Sequence, residues 1–428
     1  MVAENKLKLF LILAPPRTAS TMCENSIAAN PCISFNVHEP FVRLGYYEED
    51  EESGYKTIFD IYQKIRLTNK KKPISLIIKE MPHWIAPKKA YIRIFSLIKT
   101  PLIFIIRNPL LSTESRMRKV LQTVIFRENV SIIKYLISFY VKKKRYESIQ
   151  DMFLSYTNES SGKFSNVLLS QDDIDLLKML TSTNFRIDKD LYPALLQQKL
   201  FDCYAQIKGY DNWQILLDHI LKEKDYIICE DILLIEKVFI LKNSDWEALA
   251  EQVDLLEKKN KQFTIIDSTE LRIAPEFMIK SICDILNIRF SKRMLAWKNT
   301  FDDLHINQKR PHHRLWYDTF LKSNEVEFPF EIPLPLKKFP NFIKKQIIEI
   351  DFPIYIKLFN KPQHIKSSNT ILSINLKSKN MESKSISIVD IDPVFSAVKE
   401  SKMLIDKAFL EKNSLYGDEF NLIKEYSV

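Results

Sequence analysis

Two short stretches carry residue types that could bind a phosphorylated ligand. The first, PPRTAST (15–21), sets one arginine and three hydroxyl side chains directly after an apolar run. Backbone N–H groups at a helix start attract anions, and a planar guanidinium matches the oxygens of phosphate or sulfate. Arg17, Thr18, Ser20 and Thr21, with the backbone at Ala19, form a candidate anion cradle. The same letters also spell an ordinary strand-to-helix turn capped by Ser20 or Thr18. The second stretch, RNPLLSTES (107–115), ends an apolar run on Arg107 and turns at Asn108-Pro109. It then places Ser112 and Ser115 on the first turns of a helix, with Arg116 and Arg118 just behind. A desolvated arginine needs a partner. A phosphate would supply it, and so would Glu80 or Glu114.

Two more candidates close other apolar runs. HEPF (38–41) contributes Glu39, and KEMPHW (79–84) contributes Lys79 and His83. A carboxylate or imidazole at a strand end can take a proton, and a lysine beside it can steady a transferring anion. The plainer alternatives are Glu39 paired with Arg43, His83 satisfied beside Trp84, and Lys79 bridged to Glu39 or Glu80. KRPHHRLWYDTF (309–320) is basic and aromatic. It is expected to be a solvated loop, with the possibility of closing over a ligand. There is no Walker GxxxxGK[ST] lysine, no clear Walker-type magnesium aspartate to go with one and no HExxH spacing. These absences turn the reading away from ATP hydrolysis and from a metal site.

The elements that must hold these residues follow from the hydrophobic pattern. KLKLFLILA (6–14), CISFNV (32–37), ISLIIKE (74–80) and PLIFIIRNP (101–109) read as buried strands. STMCENSIAAN (20–30) and APKKAYIRIFSLIK (86–99) read as helices between them. Strands alternating with helices predict an α/β fold, a parallel sheet flanked by helices. Ligands in such sheets bind beyond the carboxyl ends of the strands, so the polar ends are expected to converge. Residues 112–255 read as mainly helical, with a break near 156–166. The aromatic residues there (Tyr135, Phe139, Tyr140, Tyr146, Phe153, Tyr156) are expected in the core. QFTIIDSTEL (262–271) returns to a strand, and 274–290 is an amphipathic helix with Pro275 in its first turn. From 363 the chain turns rich in Ser, Asn and Lys, as a linker does, before a short helix-like piece.

Taken together and in order, these stretches resemble the sulfotransferases that use 3′-phosphoadenosine 5′-phosphosulfate. PRTAST is similar to that family's 5′-phosphosulfate loop, and RNPLLSTES to its 3′-phosphate segment. IIKEMPHW resembles the third strand of a KDMAH-type branch. FTIIDSTELRIAPEFMIKSICDILNIRF, WYDTFLKSNEVEF and IEIDFPIYIKLFN resemble later landmarks of the domain. The resemblance implies a P-loop NTPase-like sulfotransferase fold over about 1–362, with a helical insertion over about 120–258. Residues 363–428 form a linker and helical extension. It implies that Arg17, Thr18, Ala19, Ser20 and Thr21 hold the phosphosulfate, and that Arg107 and Ser115 hold the 3′-phosphate. It further implies Glu39 or His83 as the base, Glu39 by preference, with His83 then orienting it or binding the acceptor. Arg17 and Lys79 act as the cations near the transferring group. Ala19 stands where many members have glycine, and fits if its φ stays negative. The donor would be the nucleotide as cosubstrate, without a metal. The acceptor would be a hydroxyl or amine of a small molecule, glycan or lipid. The same motifs also fit a non-catalytic nucleotide-binding or effector module.

Bulk properties are compatible with this. The chain has 428 residues, 46% of them hydrophobic, and a formal net charge of +9. That charge is spread thinly, which argues for anionic ligands in general and not for nucleic acid. Five cysteines without metal or disulfide spacing suggest a reducing, cytoplasmic compartment. No run of about 18 apolar residues is present, so no membrane span is expected.

Overall fold

The computed structural model describes residues 7–42, 44, 51–68, 73–126, 136, 194–237, 240, 245–296, 311–323, 325–326 and 333–366. Its centre is five parallel strands: β1 (Leu7–Leu13), β2 (Phe35–His38), β3 (Ile74–Glu80), β4 (Leu102–Ile106) and β5 (Phe263–Asp267). They lie in the order β2-β3-β1-β4-β5. β1 pairs with β3 from Leu7↔Ile74 to Leu13↔Glu80, and β2 with β3 from Phe35↔Leu76 to His38↔Lys79. On the other side Ile12 pairs with Ile103, and β4 runs beside β5 from Leu102↔Phe263 to Ile106↔Asp267.

The period-two alternation of β1 explains its central place. Leu9, Leu11 and Leu13 face one core and Phe10, Ile12 and Ala14 the other, so both sides must be covered. The second core is closed by α1 (Ser20–Ala28) through Cys23 and Ile27. The helices that follow β5 complete it, through Leu271 of α9 (Ser268–Ile273) and Met278, Ile279 and Ile282 of α10 (Pro275–Leu286). The first core is the larger. It takes in α3 (Tyr91–Leu97) and α4 (Pro109–Thr123), and the helices between β4 and β5: α5 (Ala194–Ile207), α6 (Trp213–Glu223), α7 (Glu230–Ile235) and α8 (Trp246–Lys258). After α11 (Pro311–Lys322), the short α12 (Asn341–Gln346) runs through a π-helical turn, Ile347–Asp351, into α13 (Phe352–Phe359).

Several expectations are adjusted. The strand expected over 262–271 stops at Asp267, whose carboxylate accepts from Thr269 N and starts α9. KRPHHRLWYDTF, expected to be a loop, is helical from Pro311: the proline's fixed φ suits a first helical turn. At the start of α2 (Glu52–Thr68), Glu51 and Glu52 bond Arg93. The pairing of the sheet runs past 362. Ile265 N donates to Gln363 O and Ile365 N to Ile265 O, each at 3.0 Å, covering the outer edge of β5. The break at 156–166, the aromatic set at 135–156 and the tail beyond 366 lie outside the described residues. Gly54, inside α2, meets the ring of Phe41 so closely that a Cβ would stand 2.2 Å from it. Only glycine lets the helix press against the loop that follows β2.

Among the described residues no helix is long and apolar enough to cross a membrane.

Candidate functional site

The sheet order creates a place for a ligand. β1 leads away toward β2 on one side, while its neighbour β4 leads toward β5 on the other. The chain order therefore reverses between β1 and β4, and this is the switch point beside which open α/β sheets bind ligands. The two stretches singled out as phosphate candidates are the loops after β1 and β4.

The loop after β1 is tightly built without glycine. Arg17 and Ala19 both take positive φ, 67° and 60°. The condition set for Ala19, a negative φ, is not met: alanine occupies the left-handed region, at a cost of roughly 1–2 kcal/mol. Neither Thr18 nor Ser20 caps α1. Ala19 is the N-cap, with no side-chain bond to the first-turn N–H groups. Thr18 is buried, and its hydroxyl donates to Pro15 O at 2.8 Å, so it shapes the turn. Ser20, which is buried, and Thr21 stand in the first turn of α1.

The loop after β4 locks onto the first. Arg107 donates from a terminal nitrogen to Arg17 O at 2.6 Å. Arg17 Nε donates to Ser115 Oγ at 3.1 Å. Asn108 caps α4 by accepting from Leu110 N at 2.9 Å. Glu80 and Glu114, the alternative partners for Arg107, are engaged elsewhere. Glu80 accepts from Phe41 N and Met81 N, and Glu114 from Tyr226 OH. Arg118 also reaches Ser115 Oγ, at 3.5 Å, and Lys119 pairs with Asp318 of α11. Arg17 and Arg118 thus meet at Ser115, with Arg107 on the Arg17 carbonyl and Lys119 near enough to feel Arg17 and Arg118. The crowding is felt. Burial, then Arg107 and Arg118, lower the Arg17 pKa to about 10. Burial, with Arg17 adding to it, lowers Lys119 to about 8, although Asp318 opposes the shift.

Helix α11 covers this cluster. Its Trp316 O accepts from Arg17 at 2.8 Å, Tyr317 OH bonds His38 Nε2 at 3.0 Å, and Asp318 takes Lys119. The stretch is thus a helix whose residues Trp316, Tyr317 and Asp318 bond Arg17, His38 and Lys119.

On the other side of β1, at the ends of β2 and β3, lie the acid–base candidates. Glu39 has a φ of 51° and is buried; its carboxylate meets Lys79, with His38 Nε2 3.4 Å away. Burial alone would raise its pKa, but Lys79 and then His38 outweigh burial and hold it below its ordinary value. Glu39 is thus held as an anion by a lysine, the reading given as the plainer one for Lys79. Arg43, its expected alternative partner, lies outside the described residues. Glu80, fully buried, is pushed up to about 8 by burial and by the charge of Glu39. His83 does not bond Glu39, contrary to the expected orienting role. Its Nδ1 meets Asp245, and its backbone N–H donates to the same Oδ1 at 3.0 Å.

Asp245, His38 with Glu24 (2.6 Å), Lys119 and Asp318 were not singled out from the sequence. His38 adjoins Glu39, and Lys119 follows Arg118, so proximity was a usable signal for both. Nothing local marks Asp245, which lies 162 residues from its partner. Among the described residues no group of three or more His, Cys, Asp or Glu is arranged to hold a metal.

No protein-family model matches this chain, and no curated protein does. Among solved structures it is similar to the Sulfotransferase Domain from the Curacin Biosynthetic Pathway, at 11% identity and a TM-score of 0.32, over 80% of this chain and 96% of that one. It is similar also to the Sulfotransferase Domain from the Synechococcus PCC 7002 Olefin Synthase, at 13% identity and a TM-score of 0.33, over 81% and 94%.

Proposed function

We propose that this chain transfers a sulfonate group from 3′-phosphoadenosine 5′-phosphosulfate to a hydroxyl or amine of a small molecule, glycan or lipid. One observation carries the reading. The cations gather at the ends of β1 and β4, around Arg17, Arg107 and Ser115, while the proton-accepting groups stand at the ends of β2 and β3. A leaving phosphate and a base on opposite sides of the transferring group are what in-line displacement requires. In this reading Arg107 and Ser115 receive the 3′-phosphate. Arg17, the Ser20 and Thr21 hydroxyls and the N–H groups opening α1 receive the phosphosulfate, with Ala19 shaping the turn. Thr18 supports the cradle from beneath. Lys79, held by Glu39, neutralises charge on the sulfonate. The reducing, cytoplasm-like compartment suggested by the scattered cysteines belongs to the same proposal.

A second reading, a non-catalytic nucleotide-binding module, is favoured by a separate observation: α11 already engages Arg17 and Lys119. Calorimetry with 3′-phosphoadenosine 5′-phosphate, and transfer of labelled sulfonate from the donor to alcohols, phenols and amines, separate the two. Binding with transfer supports the enzyme, binding without transfer the module, and no binding overturns both. Arg107→Ala is expected to weaken the 3′-phosphorylated nucleotide at least tenfold while leaving adenosine 5′-phosphate nearly unchanged. Equal losses for both ligands would remove Arg107 from the 3′-phosphate role.

A further inference from the structure

We infer that Asp245 is a positioning residue for His83, holding the imidazole with its proton on Nδ1 so that Nε2 offers a lone pair to the acceptor. The inference rests on the sulfonate-transfer reading.

The backbone at Asp245 is the first argument. It stands at the N-cap of α8 with a φ of 63°, in the left-handed region. An aspartate at that place ordinarily caps its own helix. This one makes no cap bond, and its Oδ1 instead receives both the backbone N–H and the ring Nδ1 of His83. Its Oδ2 is buried and has no hydrogen-bond partner among the described residues. Strained backbone, a forgone cap and a buried carboxylate are thus all directed at one imidazole, the pattern of a residue retained for a site. The second argument is the state of the alternative base. Glu39 is held by Lys79 and His38, so its charge is already committed. Among the described residues, the charged groups facing His83 are Asp245 and Glu39. Asp351 lies within electrostatic reach of Asp245, and Arg116 and Glu247 in turn of Asp351.

In the step itself, Nε2 takes the proton of the acceptor hydroxyl. The oxygen's electron pair forms the new bond to sulfur. The bond from sulfur to the bridging oxygen breaks, and its pair leaves with the 5′-phosphate. The imidazolium, stabilised by Asp245, then returns its proton to solvent.

Glycine accepts the backbone at 245 without strain, so Asp245→Gly removes the carboxylate and spares the fold. The ring proton is read by nitrogen-15 NMR of histidine-labelled full-length protein, with His83→Asn identifying the resonance. Wild type is expected to show the Nδ1–H tautomer, and Asp245→Gly a shift toward Nε2–H. Turnover of sulfur-labelled donor, to water or an acceptor, is expected to fall about a hundredfold. The affinity for 3′-phosphoadenosine 5′-phosphate should stay within about twofold. A wild-type Nε2–H ring, or unchanged turnover in Asp245→Gly, overturns the inference. Failure of wild type to bind the nucleotide instead overturns the sulfotransferase reading, while the tautomer still reports on Asp245 by itself.

Discussion

Ala19 gives the turn after β1 its character. With a φ of 60° it holds a conformation in which a Cβ is unwelcome, and it does so at the N-cap of α1, where it offers no side-chain oxygen. The N–H groups of the first turn receive no side-chain cap, and the strain is stored beside them. Replacing Ala19 by glycine relieves the Cβ contact but frees the unfolded chain, and the two effects partly cancel. Ala19→Gly is therefore expected to stabilise the protein by about 0.5–1 kcal/mol, measured by denaturant unfolding. A loss of stability would mean that the turn does not take the left-handed form in solution. The turn from strand to helix in PPRTAST was legible. Its division of labour was not. Thr18 reads as a ligand-facing hydroxyl, yet donates to Pro15 O within the loop.

At the scale of elements, α11 matters most. Through Trp316 O, Tyr317 OH and Asp318 it ties the loop after β1, the end of β2 and helix α4 together. Asp318 brings a negative charge to the cation cluster, where an anionic ligand would otherwise bind. Removing that charge by Asp318→Asn should tighten binding of 3′-phosphoadenosine 5′-phosphate by about fivefold, roughly 1 kcal/mol. It should also destabilise the unliganded protein by roughly 1–3 kcal/mol, because the buried Lys119 ammonium loses its partner. Calorimetry and denaturant unfolding read the two effects. Weaker binding in the variant would show that Asp318 supports the ligand site. The helix itself was not foreseen, since basic and aromatic letters without an apolar stripe read as loop. Its order comes from contacts to three distant segments.

At the scale of the whole molecule, burial of acids sets the response to pH. Glu80 is pushed up to about 8, by burial and then the charge of Glu39, and Asp351 to about 7, chiefly by burial. Between the ordinary carboxylate range and these values the folded protein binds more protons than the unfolded chain. Stability then falls as pH rises. The contribution is fully present below about pH 4 and lost by about pH 8, with a limiting slope of about 1.4 kcal/mol per pH unit for each proton. Unfolding free energies measured from pH 5 to 8 should decline, and Glu80→Gln with Asp351→Asn should flatten the curve. A wild-type curve that rises over that window would show both groups ionised in the folded state.

What the sequence determined by itself is the set of strands and the polar letters at their ends. An apolar run of five to seven residues with helices between can be buried only as a parallel strand covered on both faces, and open parallel sheets present their strand ends to ligands. Arg17, Arg107, Ser115, Glu39, Lys79 and His83 could be named on that ground. Tertiary structure alone decided who partners whom. Lys79 takes Glu39, Arg107 takes the backbone of Arg17, and Asp245 reaches His83 from 162 residues away. Strand periodicity is a local property, carried by neighbouring side chains. The charge state and orientation of a buried group depend on whatever the fold brings within a few ångströms, which no local pattern encodes.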